Sequence, residues 1–273
     1  MNVIDSLIAI SNPSGFRLPD EQTALLTCML VCRAWKSYAQ RFLHHHVYIK
    51  VSYDCNNLPG WRDFLKYNPS KAKSIESIQV DCYEVPLSYS AMFLTQKLPS
   101  LVSLHISGWD LDKESTWIYR AVKCMTSVKD LHLYNLLECT AAQLIKLVNS
   151  FHSLSKLQVV FDPTNEVLLL KNQPLSKPCK LTTFSLTSLE IDLIPGIANF
   201  LGWLVKANYF VTNLKKLNLV LQNGDEIQSR CEGVTGLLSH CGSSLEELTL
   251  EIYPRPTADV INLSKSTREG VIV

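Results

Sequence analysis

A six-residue pattern of apolar and polar positions recurs along most of this chain. The pattern is apolar-x-x-apolar-x-apolar, as in LVSLHI from Leu101 and LKKLNL from Leu214. Its last two apolar residues alternate with polar ones, which is the period of a β-strand with one buried face. The seven copies begin at these residues: Ile75, Leu101, Val128, Leu154, Leu181, Leu214 and Leu245. Because the first four spacings are 26, 27, 26 and 27 residues, we interpret the pattern as a structural repeat.

Between these hexads the apolar positions change to the spacing of an amphipathic helix. Three segments carry this spacing: 140–151, 197–207 and 233–241. Each unit is therefore predicted to be a strand followed by a helix, and stacked units form a solenoid with strands on one side and helices on the other. An upstream half-unit is predicted as well, with a strand at 47–51 and a helix that contains Trp61, Phe64 and Leu65.

The first 45 residues lack the hexad and predict a small helical bundle. A first helix places Val3, Ile4, Leu7 and Ile8 on one face, and two further helices are predicted at 24–31 and 33–43. A bundle of about 45 residues is marginal on its own, so it has to dock on the repeats or on a partner. The face of the first helix is consequently either core or a partner-binding stripe.

Cys28, Cys32 and His44–His46 raise the alternative of a metal site. Four ligands would have to converge on one ion at about 2.0–2.3 Å with tetrahedral geometry. Three adjacent histidines point in different directions, and Leu30 and Val31 lie between the two cysteines. We therefore interpret the cysteines as small apolar side chains of the bundle, and we expect neither a metal nor another cofactor.

The composition argues against several classes of function. Lys plus Arg number 26 and Asp plus Glu number 25, so the net charge of +1 gives no electrostatic footprint for nucleic acid. No apolar run reaches the roughly 18–20 residues of a membrane helix. Nine irregularly spaced cysteines without an export signal indicate reduced thiols. Because no nucleophile–base arrangement or phosphate-binding glycine loop is recognisable, we expect a non-enzymatic protein of the cytoplasm or nucleus.

Two resemblances to known families follow from these segments. ALLTCMLVCRAWKSYAQRFLHHHVYI, residues 24–49, resembles the second half of an F-box, and the hexads resemble leucine-rich repeats. The match departs from the family patterns in two ways. The position of the usual ladder asparagine holds Trp109, Leu136 and Pro163, and the Leu-Pro-acidic opening of an F-box is absent before Val3. Adaptor binding is therefore expected to be weaker than that of a complete F-box.

The resemblance implies an α/β protein with two parts. Residues 1–46 are expected to form a small helical F-box-like module. Residues 47–273 are expected to form a degenerate leucine-rich-repeat solenoid, with parallel strands on the concave face and helices on the convex face. Proteins of this arrangement are substrate-recognition subunits of SCF-type (cullin–RING) ubiquitin ligases. The alternative is a repeat-based protein-interaction scaffold without ligase coupling.

The resemblance also implies partners and contact residues. The F-box would bind a Skp-type adaptor and through it the cullin scaffold, with the following adaptor-contact candidates: Val3, Ile4, Leu7, Ile8, Leu26, Leu30, Val31 and Trp35. Trp35 is otherwise a core anchor of the bundle. The repeat phase predicts the following target-contact candidates on the strand side: Gln79, Asp81, His105, Asp130, His132, Tyr134, Lys156, Gln158, Lys216, Asn218, Glu247 and Glu251. The same phase also places on this face Ser77, Ser103, Ser107 and Thr249, and the copy from Leu181 adds Thr183, Ser185 and Thr187. The target protein itself is unknown.

Overall fold

The computed structural model of the protein describes residues 27–50, 57–82, 98–137, 139–161, 185–194, 197–206, 213–222, 227–241, 243–253 and 259–264. The helices in these ranges are α1 (Arg33–His45), α2 (Asn57–Tyr67), α3 (Pro69–Ser74), α4 (Ile118–Lys123), α5 (Ala141–Val148), α6 (Ala198–Lys206) and α7 (Ile227–Cys241). The strands are β1 (His46–Lys50), β2 (Ser77–Asp81), β3 (Ser103–Ser107), β4 (Asp130–Leu136), β5 (Lys156–Phe161), β6 (Ser188–Leu193), β7 (Lys216–Gln222), β8 (Glu247–Tyr253) and β9 (Asp259–Ser264).

These nine strands form one sheet whose order follows the chain. Strands β1 to β8 pair in parallel, and β9 pairs with β8 in the antiparallel direction. The central apolar residues of neighbouring hexads are in register, so that Leu104, Leu131 and Leu157 are aligned across three strands. The chain is therefore an α/β protein with a parallel sheet, as the hexads predict, and its sequential strand order is compatible with a solenoid. The antiparallel strand β9 is not predicted by the hexads.

One backbone carbonyl per unit links each strand to the next. The carbonyl of Val102 accepts hydrogen bonds from the N–H groups of Lys129 and Asp130, at 2.8 and 3.0 Å. In each of these units the carbonyl just before the strand accepts two such bonds: Glu76, Val102, Lys129, Ser155, Thr187 and Lys215. We call these six groups the carbonyl ladder. Because every member bonds the first residues of the following strand, the ladder fixes strand register independently of the length of the connection.

The core lies between the sheet and the helices. Along β2 the residues alternate, with Ile78 and Val80 buried and their neighbours half-buried. On the helical side, Leu144, Leu147 and Val148 of α5 are fully buried in the same cluster. The period of two in the strands and the period of 3.6 in the helices therefore place both apolar faces against each other.

The predicted helices are present where the structure describes them. Segments 140–151, 197–207 and 233–241 contain α5, α6 and the second half of α7, and the upstream half-unit contains β1 and α2. Helix α5 begins at a capping box in which Thr140 and Gln143 satisfy each other's backbone N–H groups. Among the residues that the structure describes, no helix is long and apolar enough to cross a membrane.

The predicted position of the fifth hexad, from Leu181, is wrong. The strand of this unit is β6, and the hexad that forms it is LTSLEI from Leu186, in which Leu189 is in register with Leu157 and Leu217. Thr183 lies outside the described residues, and Ser185 and Thr187 precede the strand rather than face outward from it. Both LTTFSL and LTSLEI match the pattern, and the expected 27-residue spacing favoured the earlier one. The carbonyl ladder tolerates the longer connection that the structure has.

The positions of the missing ladder asparagine are filled by buried apolar groups. Trp109 is fully buried, and its indole N–H donates to the carboxylate of Glu114 at 2.7 Å. Leu136 is also fully buried. Pro163 lies outside the described residues. In the two described units a buried apolar side chain therefore stands at this position, at the end of β4 for Leu136 and just after β3 for Trp109.

The described part of the N-terminal region is one helix joined directly to the sheet. Helix α1 covers the predicted segment 33–43 and continues without a loop into β1. The carbonyl of His45 accepts the N–H of Glu76 at 2.9 Å, so α1 ends on the same backbone pattern as the repeats. The predicted helix over Val3 to Ile8, and the start of the one over 24–31, lie outside the described residues. The expected three-helix bundle is thus described only in part.

Two matched Leu→Ala substitutions test the assignment of the core. Leu133 of β4 is fully buried, so Leu133→Ala should lower the free energy of unfolding by about 2–5 kcal/mol through lost apolar burial and a cavity. Leu30 is 87% exposed, so Leu30→Ala should change it by less than about 0.5 kcal/mol. Urea titration followed by circular dichroism measures both values. Equal losses for the two variants would contradict the fold.

Candidate functional site

The strand residues that point away from the helices form one polar face of the sheet, which we call the polar sheet face. Its side chains lie in three rows across the strands. Row one contains Ser77, Ser103, Asp130, Lys156, Ser188, Lys216 and Glu247. Row two contains Tyr48, Gln79, His105, His132, Gln158, Glu190, Asn218 and Thr249. Row three contains Asp81, Ser107, Tyr134, Asp192, Val220 and Glu251.

An aromatic stack occupies the middle of this face. The imidazole rings of His105 and His132 lie parallel, with their centroids 4.0 Å apart and an interplanar angle of 10°. The ring of Tyr134 is nearly parallel to both, with centroids at 6.4 and 6.1 Å. The parallel register aligns His105 with His132, and Tyr134 follows His132 by two residues on the same face of β4. His105 is only 6% exposed as a result.

A chain of hydrogen bonds continues from the stack across the next two strands. The hydroxyl of Tyr134 donates to Oε1 of Gln158 at 2.5 Å, and Nδ1 of His132 lies 2.5 Å from the same oxygen. Because an amide oxygen only accepts, this contact assigns the proton of neutral His132 to Nδ1. The amide Nε2 of Gln158 in turn donates to Oε1 of Glu190 at 2.6 Å. One amide therefore holds the tyrosine, the histidine and the carboxylate in fixed positions.

Burial controls the charge of these groups. Burial, together with the neighbouring His132 and His46, lowers the pKa of His105 to about 2. Burial also lowers the pKa of His132, against the opposing effect of its bond to Gln158. Both rings are consequently neutral near pH 7. In contrast, burial raises the pKa of the Glu190 carboxyl.

The contact between Ser103 and His105 resembles a nucleophile–base pair. Ser103 Oγ lies 2.6 Å from Nε2 of His105. However, a general base works best with a pKa near the operating pH, and the pKa of His105 is lowered to about 2. The pair therefore supports a structural hydrogen bond rather than an activated serine.

Ion pairs between neighbouring strands run along row one and the residues just before it. Lys156 lies 3.5 Å from Asp130, and Lys216 lies 2.6 Å from Glu247. Lys215 and Glu246, just before β7 and β8, form a third pair at 2.8 Å. Exposed pairs of this kind add little to stability, because water and salt screen their charges. Their main effect is to neutralise the lysine charges on this side of the sheet.

The opposite end of the face is built around another carboxylate. The hydroxyl of Tyr48 donates to Oδ2 of Asp81 at 2.5 Å, and Nε2 of Gln79 donates to Oδ1 at 3.3 Å. Polar side chains that hold each other in this way lose less freedom when a partner binds. The polar sheet face is thus preorganised from β1 to β8.

All twelve residues predicted for the target-binding face lie on the polar sheet face in the rows given above. Of the polar residues in these rows, the prediction missed Tyr48, Ser188, Glu190 and Asp192. Three of the four lie on β6 and were lost with the wrong fifth hexad; LTSLEI would have found them. Asp192 is 2% exposed, and its carboxylate accepts the N–H of Phe161 at 2.9 Å, so it supports the strands rather than contacts a ligand.

The adaptor-contact candidates are described only in part. Leu30 and Val31 are 87% and 62% exposed and form an apolar step on the turn before α1. Trp35 is half-buried against Ala39 in a small cluster separate from the main core. Five candidates lie outside the described residues: Val3, Ile4, Leu7, Ile8 and Leu26.

The cysteines give no support to the metal hypothesis. Within the described ranges, no group of three or more His, Cys, Asp or Glu residues could hold a metal ion. His45 lies 3.4 Å from Glu76 instead. Burial raises the pKa of the thiols of Cys82 and Cys139, in the latter case to about 12, so neither is a reactive thiolate near pH 7.

No family model matches the sequence, and no curated protein matches it significantly. The polar sheet face therefore has to be interpreted from its own chemistry.

The buried histidine predicts a pH-dependent stability. The pKa of His105 is lower in the folded chain than its ordinary value near 6.5. Below pH 6.5 the unfolded chain therefore binds more protons than the folded chain, and the free energy of unfolding decreases as the pH is lowered. When the pH is lowered from 7.5 to 5, the free energy of unfolding of His105→Gln should decrease by roughly 1–2 kcal/mol less than that of the wild type. Urea titrations at both pH values provide the comparison. The control His152→Gln removes an exposed histidine and should keep the pH dependence of stability of the wild type. If His105→Gln also keeps that pH dependence, the prediction is wrong.

Proposed function

We propose that this chain is a substrate-recognition subunit of an SCF-type ubiquitin ligase. In this proposal the polar sheet face holds a target protein, and the N-terminal helical segment binds a Skp-type adaptor. The single observation that carries the proposal is the polar sheet face, a preorganised surface of hydrogen-bonding and aromatic groups. The role of the chain is positional, because ubiquitin transfer would occur on other subunits.

The size and chemistry of the face favour a protein as its ligand. Eight parallel strands at about 4.8 Å separation give a face about 34 Å long, which suits a protein better than a small molecule. Its side chains include both signs of charge, amides, hydroxyls and three stacked rings. Protein interfaces use this mixture, and aromatic residues are enriched in them. Nucleic acid would require an excess of cations, whereas the lysines of this face are matched by carboxylates.

The junction between α1 and β1 supports the coupling to an adaptor. Helix α1 continues directly into the sheet and is bonded to it through the carbonyl of His45. A partner bound at Leu30 and Val31 would therefore hold the polar sheet face in a defined orientation. Two adjacent, highly exposed apolar side chains are typical of residues that become buried on association. Because residues 24–49 resemble part of an F-box, we propose a Skp-type adaptor as that partner.

The apolar step provides the test of adaptor binding. In Leu30→Asp/Val31→Asp, two charges would have to be buried in the complex, so the Kd for a purified Skp-type adaptor should rise at least tenfold. The chain should remain folded, because both side chains are exposed. Surface plasmon resonance with the full chain measures the Kd, and circular dichroism verifies the fold.

Tyr67→Asp is the matched control, because Tyr67 is 72% exposed at the end of α2, outside the N-terminal segment. This variant should bind the adaptor like the wild type. If the wild type shows no binding to the adaptor, the ligase assignment fails and the repeat-based scaffold becomes the better description.

A further inference from the structure

The lysines on the two sides of the sheet make different contacts. On the strand side, Lys156 and Lys216 each lie beside a carboxylate, at 3.5 and 2.6 Å. On the helical side, three lysines lie over aromatic rings instead: Lys66, Lys71 and Lys146. An aromatic ring attracts an ammonium group through its quadrupole, but it has no net charge and does not neutralise the lysine. The helical side therefore keeps positive charge that is neutralised on the strand side.

Helices α2 and α3 pack against each other and present three exposed lysines: Lys66, Lys71 and Lys73. The carboxylate among the described side chains of these two helices is that of Asp63. In the part of the chain that the structure describes, no carboxylate forms an ion pair with any of the three amines. With three lysines and one carboxylate, the described side chains of α2 and α3 have a net charge of +2.

An exposed aromatic ring accompanies this charge. Tyr67, the last residue of α2, is 72% exposed, and Nζ of Lys66 lies 5.1 Å from the centroid of its ring. Phe64 lies one turn earlier on the same face of α2, and Nζ of Lys71 lies 5.6 Å from its ring centroid. Amines that are already held beside a ring lose less freedom when a partner binds. We call these five residues the lysine–aromatic patch: Phe64, Lys66, Tyr67, Lys71 and Lys73.

Other cations on the helical side do not combine charge with an exposed ring in this way. Lys146 lies over the ring of Tyr119 at 4.0 Å, but Tyr119 is buried. Arg120 and Lys123 of α4 are exposed, but neither lies over a ring of the described part of the chain. These two residues therefore provide a matched comparison for the lysines of α3.

We propose that the lysine–aromatic patch binds an acidic segment of a partner protein, in which aspartate or glutamate residues flank an apolar one. The carboxylates pair with the three amines, and the apolar side chain covers the ring of Tyr67, a residue type that is enriched in protein interfaces. Nucleic acids and anionic membranes are bound by longer runs of cations than these three. Because the patch lies on the helices, it is separate from the polar sheet face and does not depend on the ligase role.

Peptide selection on the intact chain tests the proposal. A random twelve-residue phage library is selected against the wild type and depleted on Lys71→Gln/Lys73→Gln, at about 0.15 M salt, where charges beyond about 8 Å are screened. The selected peptides should contain clustered acidic residues next to an apolar one. In fluorescence anisotropy, a selected peptide should bind at least tenfold more weakly to the depletion variant, and replacing its acidic residues by amides should weaken wild-type binding equally.

Two further variants locate the site. Tyr67→Ala, which takes no part in the selection, should weaken binding at least fivefold because the apolar side chain loses the ring that it covers. The matched control is Arg120→Gln/Lys123→Gln, which removes two exposed positive charges from another short helix on the same side. Its Kd should change by less than about threefold. Circular dichroism verifies that each variant is folded.

Three outcomes would overturn the proposal. In the first, no peptide distinguishes the wild type from Lys71→Gln/Lys73→Gln, or the peptides that do so lack acidic residues. In the second, the control at α4 weakens binding as much as the variant at α3, which indicates general charge attraction. In the third, phosphatidylserine vesicles or a single-stranded oligonucleotide bind through the lysines of α3 whereas no acidic peptide does, so that the occupant is not a protein. Adaptor binding is tested separately at Leu30 and Val31.

Discussion

The carbonyl ladder is the constraint on which the rest of the structure depends. Each carbonyl that precedes a strand accepts the first N–H groups of the next unit, from Glu76 to Lys215. These bonds fix the register of the strands, and in that register the apolar residues of each hexad align into one core. The same alignment stacks the outward residues into three rows. The longer connection between β5 and β6 keeps the same carbonyl bonds and the same register.

The functional chemistry of the face is a consequence of this alignment. Residues with the same hexad position become neighbours at the spacing of β-strands, so His105 and His132 stack although 27 positions separate them in the sequence. Stacking buries the rings and keeps them neutral. The side-chain amide of Gln158 accepts from the stack and donates a hydrogen bond to Glu190, which holds the carboxylate in position. The contact between Ser103 and His105 on this face lacks a base whose pKa is near 7, because burial of the ring lowers the pKa of His105 to about 2.

The sequence was sufficient to predict the parts of the fold that depend on periodicity. The strands at Leu104, Leu131 and Leu157 and the helix at Leu144 follow from apolar spacing alone, and so do the twelve outward residues of the face. The strand at Leu189 was misplaced because two overlapping hexads matched equally well, and only pairing with β5 and β7 distinguishes them. The hydrogen bonds among Tyr134, Gln158 and Glu190 depend on distances between strands, which apolar periodicity does not specify.

The central claim is that one face of the sheet holds a protein while the N-terminal segment holds the adaptor. Site-specific photocrosslinking in cells measures this most directly, with benzoylphenylalanine at Ser77 on the polar sheet face or at Lys146 on the exposed side of α5. The account predicts a crosslinked protein from Ser77, recovered in complexes that also contain the Skp-type adaptor, and a much lower yield from Lys146. Equal yields from the two positions, or crosslinks from Lys146 alone, would contradict it.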